Sequence, residues 1–196
     1  GGTFTNTLDL CGHMVNYMGL DVLMHITCTG LTVDRVREAL DRAKELNIRN
    51  LLALRGDPPR GQETWVSVDN GFAHASDLVK WIRAEYGDYF CIVVAGYPEV
   101  HSTATSREDD IKHLKEKVDA GADIIITQLF YNNEIYLEWV KDCRAAGINA
   151  HFIPGLMPII GYDRFQRTID FCKTNVPEKL AAALEPIKND DEKVKE

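Results

Sequence analysis

The segment LLALRGDPP combines residue types that can bind a polar ligand at the end of a buried strand. Its apolar run delivers Arg55, Gly56 and Asp57 in succession, which places both charges at the mouth of the strand. The planar guanidinium of Arg55 can hold an anionic or carbonyl group with paired hydrogen bonds, and the Asp57 carboxylate can accept hydrogen bonds from a heterocycle. The alternative is a structural salt bridge between Arg55 and Asp57 that closes the loop.

Other apolar runs of the chain also end in polar groups. His25 and Thr27 lie two residues apart and therefore point to the same face of a strand. Tyr97 and His101 follow a run that ends in glycine, and Gln128 ends another run. For His25 the alternative is a satisfied core histidine, and for Tyr97 and His101 it is a plain turn between a strand and a helix. Several polar strand ends together favour a binding site.

Asp110 and Lys117 are seven residues apart in a segment with helical periodicity, so they lie two turns apart on one face. That face borders an apolar stripe, which leaves a ligand-facing role open for both; the alternative is a solvated charge face. The sequence has no glycosidase carboxylate pair, no nucleophile elbow, no Walker loop and no cluster with metal-ligand spacing. Side chains that bind through hydrogen bonds, without a strong nucleophile, favour chemistry carried by an organic cofactor.

Five nearly continuous apolar runs alternate with amphipathic segments, which is the pattern of parallel strands covered on both faces. The predicted strands are 22–28, 50–54, 89–95, 123–129 and 150–154. The predicted helices follow Thr32, span 72–86, follow Ser106 and start at Asn132 or Asn133, and the charged end of the chain is predicted to be solvated.

This alternation predicts an α/β fold with a parallel sheet. No Gly-x-Gly-x-x-Gly follows a strand, so a dinucleotide-binding Rossmann unit has no support. Polar groups at the strand ends would form a ring, as at the carboxyl-terminal face of a (β/α)8 TIM barrel, where active sites are built. We therefore expect a TIM barrel rather than an open sheet, incomplete here because about five of its eight strands are visible.

Composition excludes several classes of function. The 196 residues carry 22 Lys and Arg against 30 Asp and Glu, and the net charge of −8 disfavours nucleic-acid binding. No apolar run approaches the roughly 20 residues of a membrane span, and no leader is visible. The five cysteines are scattered, which indicates neither a disulfide framework nor a zinc site. We expect a cytoplasmic protein with reduced cysteines and no metal.

The motifs together resemble the methylenetetrahydrofolate reductase family, its eukaryotic type more than its bacterial type, over essentially the whole chain. The segments that carry the resemblance are HITCTG, NLLALRGDPP, GFAHASDLVKWIR, GDYFCIVVAGYPEVH, LKEKVDAGADIIITQLFY and FIPGLMPI with the following GY. The resemblance implies a TIM barrel with non-covalent FAD at its carboxyl-terminal mouth, in one-carbon metabolism and methionine biosynthesis. NADPH or NADH reduces the flavin, which then passes hydride to 5,10-methylenetetrahydrofolate to give 5-methyltetrahydrofolate, the two substrates taking turns.

The resemblance also implies the roles of individual residues. Asp57 matches the carboxylate that tunes the reduced flavin and meets the substrate, while Gln128, Tyr162 and Arg167 match substrate contacts. At His74 the human-type enzyme has an aromatic residue instead. The implied flavin contacts are His25, Thr27, Arg55, Gly56, Asp57, His74, Ala75, Tyr97, His101, Asp110 and Lys117.

The family's general acid is a glutamate on the first barrel strand, upstream of Gly1 in this comparison. We therefore expect 1–196 to be a single fragment of the catalytic barrel domain, without the first strand, most of the second, the last strand and the regulatory domain. Such a fragment is expected to be weak or inactive alone, and the full-length protein to be a homo-oligomer. The alternatives are another FAD-dependent barrel oxidoreductase, similar to proline dehydrogenase, or a non-catalytic flavin- or folate-binding remnant.

Overall fold

The computed structural model describes residues 2–28, 30–56 and 68–195. Five strands alternate with helices and form one sheet in the order β1-β2-β3-β4-β5. The chain divides into two compact units, Gly1–Ala95 with Glu116–Ile125 and Gly96–Lys115 with Ile126–Glu196. The strands are β1 (Leu23–Thr27), β2 (Asn50–Leu54), β3 (Cys91–Gly96), β4 (Ile124–Leu129) and β5 (His151–Gly155).

The five predicted strands are confirmed, with ends that differ from the predicted ends by no more than two residues. In the first unit, β1 pairs in parallel with β2, and β2 pairs in parallel with β3. Leu51, Leu52 and Ala53 are buried one after another in β2, so both faces of this strand are covered. That double coverage explains why the runs are almost continuously apolar instead of alternating.

The first unit begins with a helix that the sequence pattern did not predict, α1 (Gly2–Met18). Its Leu8 and Cys11 are buried three residues apart, as expected for one helix face. Threonines and a central glycine give this segment a weak intrinsic helix propensity, so its periodicity is easily missed. Tertiary contacts stabilise it, and the Asn16 side-chain amide donates a 2.8 Å hydrogen bond to the Leu46 carbonyl oxygen, just beyond the next helix.

The next two helices of this unit are α2 (Val33–Glu45) and α3 (Ala75–Tyr86). Thr32 is the N-cap of α2, as predicted, and its hydroxyl oxygen accepts from the Arg35 N–H at 3.4 Å. The prediction that α3 starts at residue 72 is wrong, because His74, whose backbone is extended, is its N-cap. Phe72 is buried instead as a partner of Trp81, with 5.5 Å between the ring centroids.

Two predicted helix starts are confirmed in the following helices, α4 (Arg107–Asp119) and α5 (Asn133–Ala145). The Ser106 hydroxyl accepts from the Asp109 N–H at 3.1 Å, and Asn132 Oδ1 accepts from the Glu134 N–H at 2.9 Å. Side-chain oxygens at these positions satisfy N–H groups that have no partner within the helix.

The described chain ends in three helices and one 3-10 turn, and most charged residues of its last segment are exposed, which agrees with the predicted solvated tail. Val194 in the last helix is buried in a small apolar cluster with Phe165, Ile169 and Leu184. The charged residues of the tail occupy the other faces of this short amphipathic helix. The burial of Val194 alone is therefore not visible as a pattern in the sequence. The elements are α6 (Tyr162–Cys172), α7 (Glu178–Leu184), the 3-10 turn Glu185–Ile187 and α8 (Asp191–Lys195).

Candidate functional site

In the first unit, the ends of β1 and β2 meet the amino end of α3 at Cys28. The Cys28 N–H donates to the Leu54 carbonyl oxygen at 3.0 Å, which extends the pairing of the two strands by one residue. The Cys28 thiol donates to the His74 carbonyl oxygen at 3.6 Å. The His74 N–H in turn donates to the Asp77 carboxylate at 3.0 Å, which fixes the first turn of α3. Three elements are thereby held around the predicted site residues Arg55, His74 and Ala75.

The electrostatics of Cys28 show which charges lie nearby. The pKa of the Cys28 thiol is raised to about 12, mainly by burial and also by the negative charge of Asp77, while the positive charge of Arg55 opposes both. The thiol therefore keeps its proton at neutral pH and acts as a hydrogen-bond donor, not as a nucleophile. The guanidinium of Arg55 therefore lies close enough to Cys28 to influence its thiol.

Gly56 follows Arg55 with a φ of 89°, in the left-handed region that favours glycine. The backbone therefore turns immediately after β2, and Arg55 remains half-buried at the strand end. Asp57 lies outside the described residues. Its predicted role, and the alternative of a salt bridge with Arg55, stay predictions.

His25 and Thr27 lie on one face of β1, as predicted. Met24 and Ile26 are completely buried on the opposite face, whereas His25 is exposed. An exposed imidazole is not a satisfied core histidine, so that alternative is wrong. His25 stands opposite Leu52 in the register with β2, which puts it two residues before the strand end.

Lys117 extends from α4 to the end of β3, where its Nζ donates to the Ala95 carbonyl oxygen at 2.9 Å. It is half-buried, so the alternative of a solvated charge does not hold for this side chain. An ammonium group has three donors, and this hydrogen bond uses one of them while it fixes the position of the charge.

In the second unit, Tyr97 and His101 are in direct contact after β3. Their ring centroids are 4.5 Å apart at an interplanar angle of 73°, and the Val100 N–H donates to the Tyr97 carbonyl oxygen at 3.0 Å. His101 Nδ1 accepts from the Thr103 backbone N–H at 3.2 Å. Because a backbone N–H can only donate, Nδ1 carries no proton and the imidazole presents its Nε2–H.

Asp110 lies in the first turn of α4 and is only 8% exposed, so the solvated-face alternative is wrong for it as well. It lies near Cys143 of α5, whose thiol pKa is raised to about 12, mainly by burial and further by the charges of Asp110 and Asp142. A carboxylate this deeply buried requires partners, which is typical of a functional or strongly structural position.

The three predicted substrate contacts lie on different elements of the second unit. Gln128 is exposed near the end of β4, Tyr162 begins α6 with its ring 6.2 Å from that of Phe165, and Arg167 is exposed on α6. Among the described residues, no hydrogen bond or ion pair joins these three side chains to each other. The structure therefore shows where each of the three side chains lies, but it does not bring them together in a common site.

Thr127 beside Gln128 positions the neighbouring strand. Its hydroxyl oxygen accepts from the Gly155 N–H at 2.9 Å, and a Cβ on Gly155 would lie 2.2 Å from the Thr127 carbonyl oxygen. Only glycine allows the end of β5 to approach β4 this closely.

Several residues near these groups were missed by sequence reasoning. Asp77 had a detectable signal, because an acidic residue three positions after an N-cap is typical of a capping box. Glu99 lies between the predicted Tyr97 and His101, but its partner Asn175 is 76 residues away and has no signal at all. For Cys28 the sequence predicted only a reduced thiol, and not its hydrogen bond to His74.

Over 2–28, 30–56 and 68–195, no group of three or more His, Cys, Asp or Glu side chains is arranged to hold a metal ion. No helix in the same ranges is both long and apolar enough to cross a membrane.

A parallel sheet that alternates with helices, with polar side chains at the strand ends, defines an α/β protein of the TIM-barrel class. A solved phosphonopyruvate hydrolase, in complex with oxalate and Mg²⁺, matches 95% of this chain and 64% of its own with a TM-score of 0.56. At 11% sequence identity this likeness concerns the fold alone.

The family is given by the sequence comparison: the model of the methylenetetrahydrofolate reductase family matches residues 1–196, and the chain belongs to this family. It is 50% identical over 204 residues to methylenetetrahydrofolate reductase (NADH) 1 of Arabidopsis thaliana, covering all of this chain and 34% of the relative. A bacterial 5,10-methylenetetrahydrofolate reductase from Pectobacterium carotovorum is 36% identical over 174 residues, covering 89% of this chain and 56% of the relative. The higher identity to the plant protein agrees with the predicted eukaryotic type. The chain spans about a third of the length of its plant relative.

Proposed function

We propose that this chain supplies flavin and folate contacts to an NAD(P)H-dependent methylenetetrahydrofolate reductase. The observation that carries the proposal is the junction at Cys28, where the ends of β1 and β2 meet the amino end of α3 and the charge of Arg55 acts on the Cys28 thiol. The family resemblance assigns flavin contacts to this place. The names of the relatives support the same reaction.

The residues of the first unit fit a large cofactor with an anionic part. The N–H groups at the amino end of a helix and a half-buried guanidinium both suit a diphosphate. The left-handed backbone at Gly56 has no side chain to prevent a close approach. We assign His25, Thr27, Arg55, Gly56, His74, Ala75 and Lys117 to contacts with FAD, together with Asp57 beside the isoalloxazine ring.

The second unit is proposed to contribute Tyr97, His101 and Asp110 to FAD binding. The paired rings of Tyr97 and His101 offer an aromatic surface, and the Nε2–H of His101 is a hydrogen-bond donor of fixed tautomer. When bound, FAD would supply the two-electron carrier between the nicotinamide and the folate. The contribution of these side chains is to bind and orient it.

Gln128, Tyr162 and Arg167 are proposed to contact 5,10-methylenetetrahydrofolate. An amide has both donors and acceptors for a pterin ring, and an exposed arginine can bind the carboxylates of the folate tail. NADH or NADPH is proposed as the reductant. The general acid is proposed to be a glutamate outside residues 1–196. We further propose that these residues are part of the catalytic barrel of a longer protein, which is cytoplasmic and homo-oligomeric.

The experiment is to purify the full-length protein and follow flavin absorbance. We expect a yellow protein whose flavin is bleached by NADH or NADPH under anaerobic conditions and is reoxidised by 5,10-methylenetetrahydrofolate. Reoxidation by proline-derived substrates alone would indicate a different barrel oxidoreductase. A colourless, inactive full-length protein would overturn the proposal and indicate a non-catalytic remnant.

A further inference from the structure

The turn that carries Tyr97 and His101 contains an unfavourable backbone conformation. Val100 has a φ of 71°, in the left-handed region that β-branched residues avoid. The Val100 N–H nevertheless bonds to the Tyr97 carbonyl oxygen at 3.0 Å, so the turn is tight. Such a conformation persists only when surrounding contacts hold it.

One of these contacts is made by Glu99, the residue before Val100. Its Oε2 accepts a 2.8 Å hydrogen bond from the Asn175 backbone N–H and a 3.4 Å hydrogen bond from the Asn175 side-chain amide. A backbone N–H bonded to a carboxylate is a charge-assisted hydrogen bond, which is stronger than one between neutral groups.

Asn175 is itself held to the end of α6. Lys173 adopts the left-handed conformation that ends the helix, and the buried Thr174 donates its N–H to the Ile169 carbonyl oxygen at 3.0 Å. The glutamate therefore joins the turn after β3 to the helix that carries Tyr162 and Arg167, the proposed folate contacts.

Glu99 is half-buried, and the cost of burying one of its carboxylate oxygens argues that this carboxylate has a specific role. Its Oε1 is buried without a hydrogen-bond partner among the described residues, which is uncommon for a polar side-chain atom. Burial also raises the pKa of the Glu99 carboxyl. A residue chosen only to fill this space would not need a carboxylate.

We propose that Glu99 is a positioning residue of the reductase: its hydrogen bonds to Asn175 hold Tyr97 and His101 in their flavin-binding arrangement and link them to α6. The inference rests on the proposed function, since it requires that Tyr97 and His101 contact FAD.

The test compares variants of the full-length protein in FAD affinity, in KM for 5,10-methylenetetrahydrofolate and in thermal stability. Glu99→Ala is expected to raise the FAD Kd about tenfold, the effect of losing one hydrogen bond to a charged group, and to raise the folate KM in parallel. Glu99→Gln keeps an oxygen that can accept from the Asn175 N–H, so it is expected to restore the FAD Kd to within about threefold of the wild type. Asn175→Ala removes only the longer bond and is expected to have a small effect.

Glu138→Ala, which removes an exposed glutamate from α5, is the matched control and is expected to change neither constant. If Glu99→Ala does not fold, Glu99→Asp serves instead, because its shorter side chain keeps the charge but not the reach. A lower melting temperature with an unchanged FAD Kd and folate KM would overturn the inference and leave the proposed function intact. A wild-type protein that binds no FAD would overturn both.

Discussion

The Cys28 thiol at the end of β1 donates a hydrogen bond to the carbonyl oxygen of His74 at the start of α3, with 3.6 Å between sulfur and oxygen. This contact spans 46 residues of sequence and brings a strand end to a helix start. It gives Cys28 a structural role as a hydrogen-bond donor between β1 and α3.

Cys28 is expected to resist alkylation in the folded protein. Its pKa rises from 9.0 to about 12, so the unfolded chain loses the thiol proton first as the pH increases. Stability is therefore lost between these two values on the alkaline side. Iodoacetamide at about pH 8 should leave Cys28 unmodified in buffer and modify it in urea, as read by peptide mass spectrometry. Equal labelling in both conditions would contradict the assigned environment.

Arg83→Ala is expected to destabilise the first unit by about 3 kcal/mol, because several partly buried acceptors lose their donor at once. The guanidinium donates to the carbonyl oxygens of Phe90 at 2.7 Å and Gly121 at 2.8 Å, and it pairs with Asp123. Urea unfolding followed by tryptophan fluorescence measures the change.

The matched control for Arg83 is Arg35→Ala. Arg35 makes an exposed ion pair with Glu38 on the surface of α2, and pairs of this kind contribute about 0.5 kcal/mol or less. Equal losses for the two variants would show that the Arg83 hydrogen bonds do not stabilise the fold.

Gly155→Ala is expected to cost about 3 kcal/mol or to prevent folding, since its Cβ would lie 2.2 Å from the Thr127 carbonyl oxygen. Gly19→Ala is the comparison, because Gly19 has a φ of 64° but no atom near the added Cβ. Its cost should be about 1 kcal/mol, from backbone strain alone. Thermal unfolding separates the two, and a Gly155→Ala protein as stable as the wild type would contradict the close approach of β5 to β4.

Arg55→Lys in the full-length protein is expected to weaken FAD binding about tenfold, because an ammonium cannot make the paired, planar hydrogen bonds of a guanidinium. Equilibrium titration followed by flavin fluorescence measures the Kd. Arg35→Lys, an equivalent change at an exposed position, should leave it unchanged. If both variants bind FAD like the wild type, Arg55 is not a flavin contact.

Asp57→Asn removes the negative charge that follows Arg55 and Gly56 in the sequence. Removing a negative charge beside a reduced, anionic flavin should raise the reduction potential by about 30 mV and slow folate turnover. Spectroelectrochemistry and a folate assay of the full-length protein give the two values. Unchanged potential and kinetics would support the alternative of a salt bridge with Arg55.

The strands were predictable because each is a short apolar run with distinct ends. A parallel strand that is buried on both faces consists almost entirely of apolar residues, so its pattern is easy to recognise. The helix starts at Thr32, Ser106 and Asn132 were predictable because an N-cap bonds to a backbone N–H only two or three residues later, so its signal lies within a short stretch of sequence. In contrast, α1 has a weak local signal and depends on packing, and α8 depends on one buried valine in a charged segment.

The alternation of strands and helices, the polar residue types at the strand ends and the family could all be predicted from the sequence, because they depend on local patterns and on motifs in fixed order. In contrast, the contacts of Cys28 with His74, of Lys117 with Ala95 and of Glu99 with Asn175 became visible only in the folded chain. Each of these contacts joins residues at least 22 positions apart. The free energy that selects such partners comes from burial and hydrogen bonding in the folded chain, and no local pattern records it.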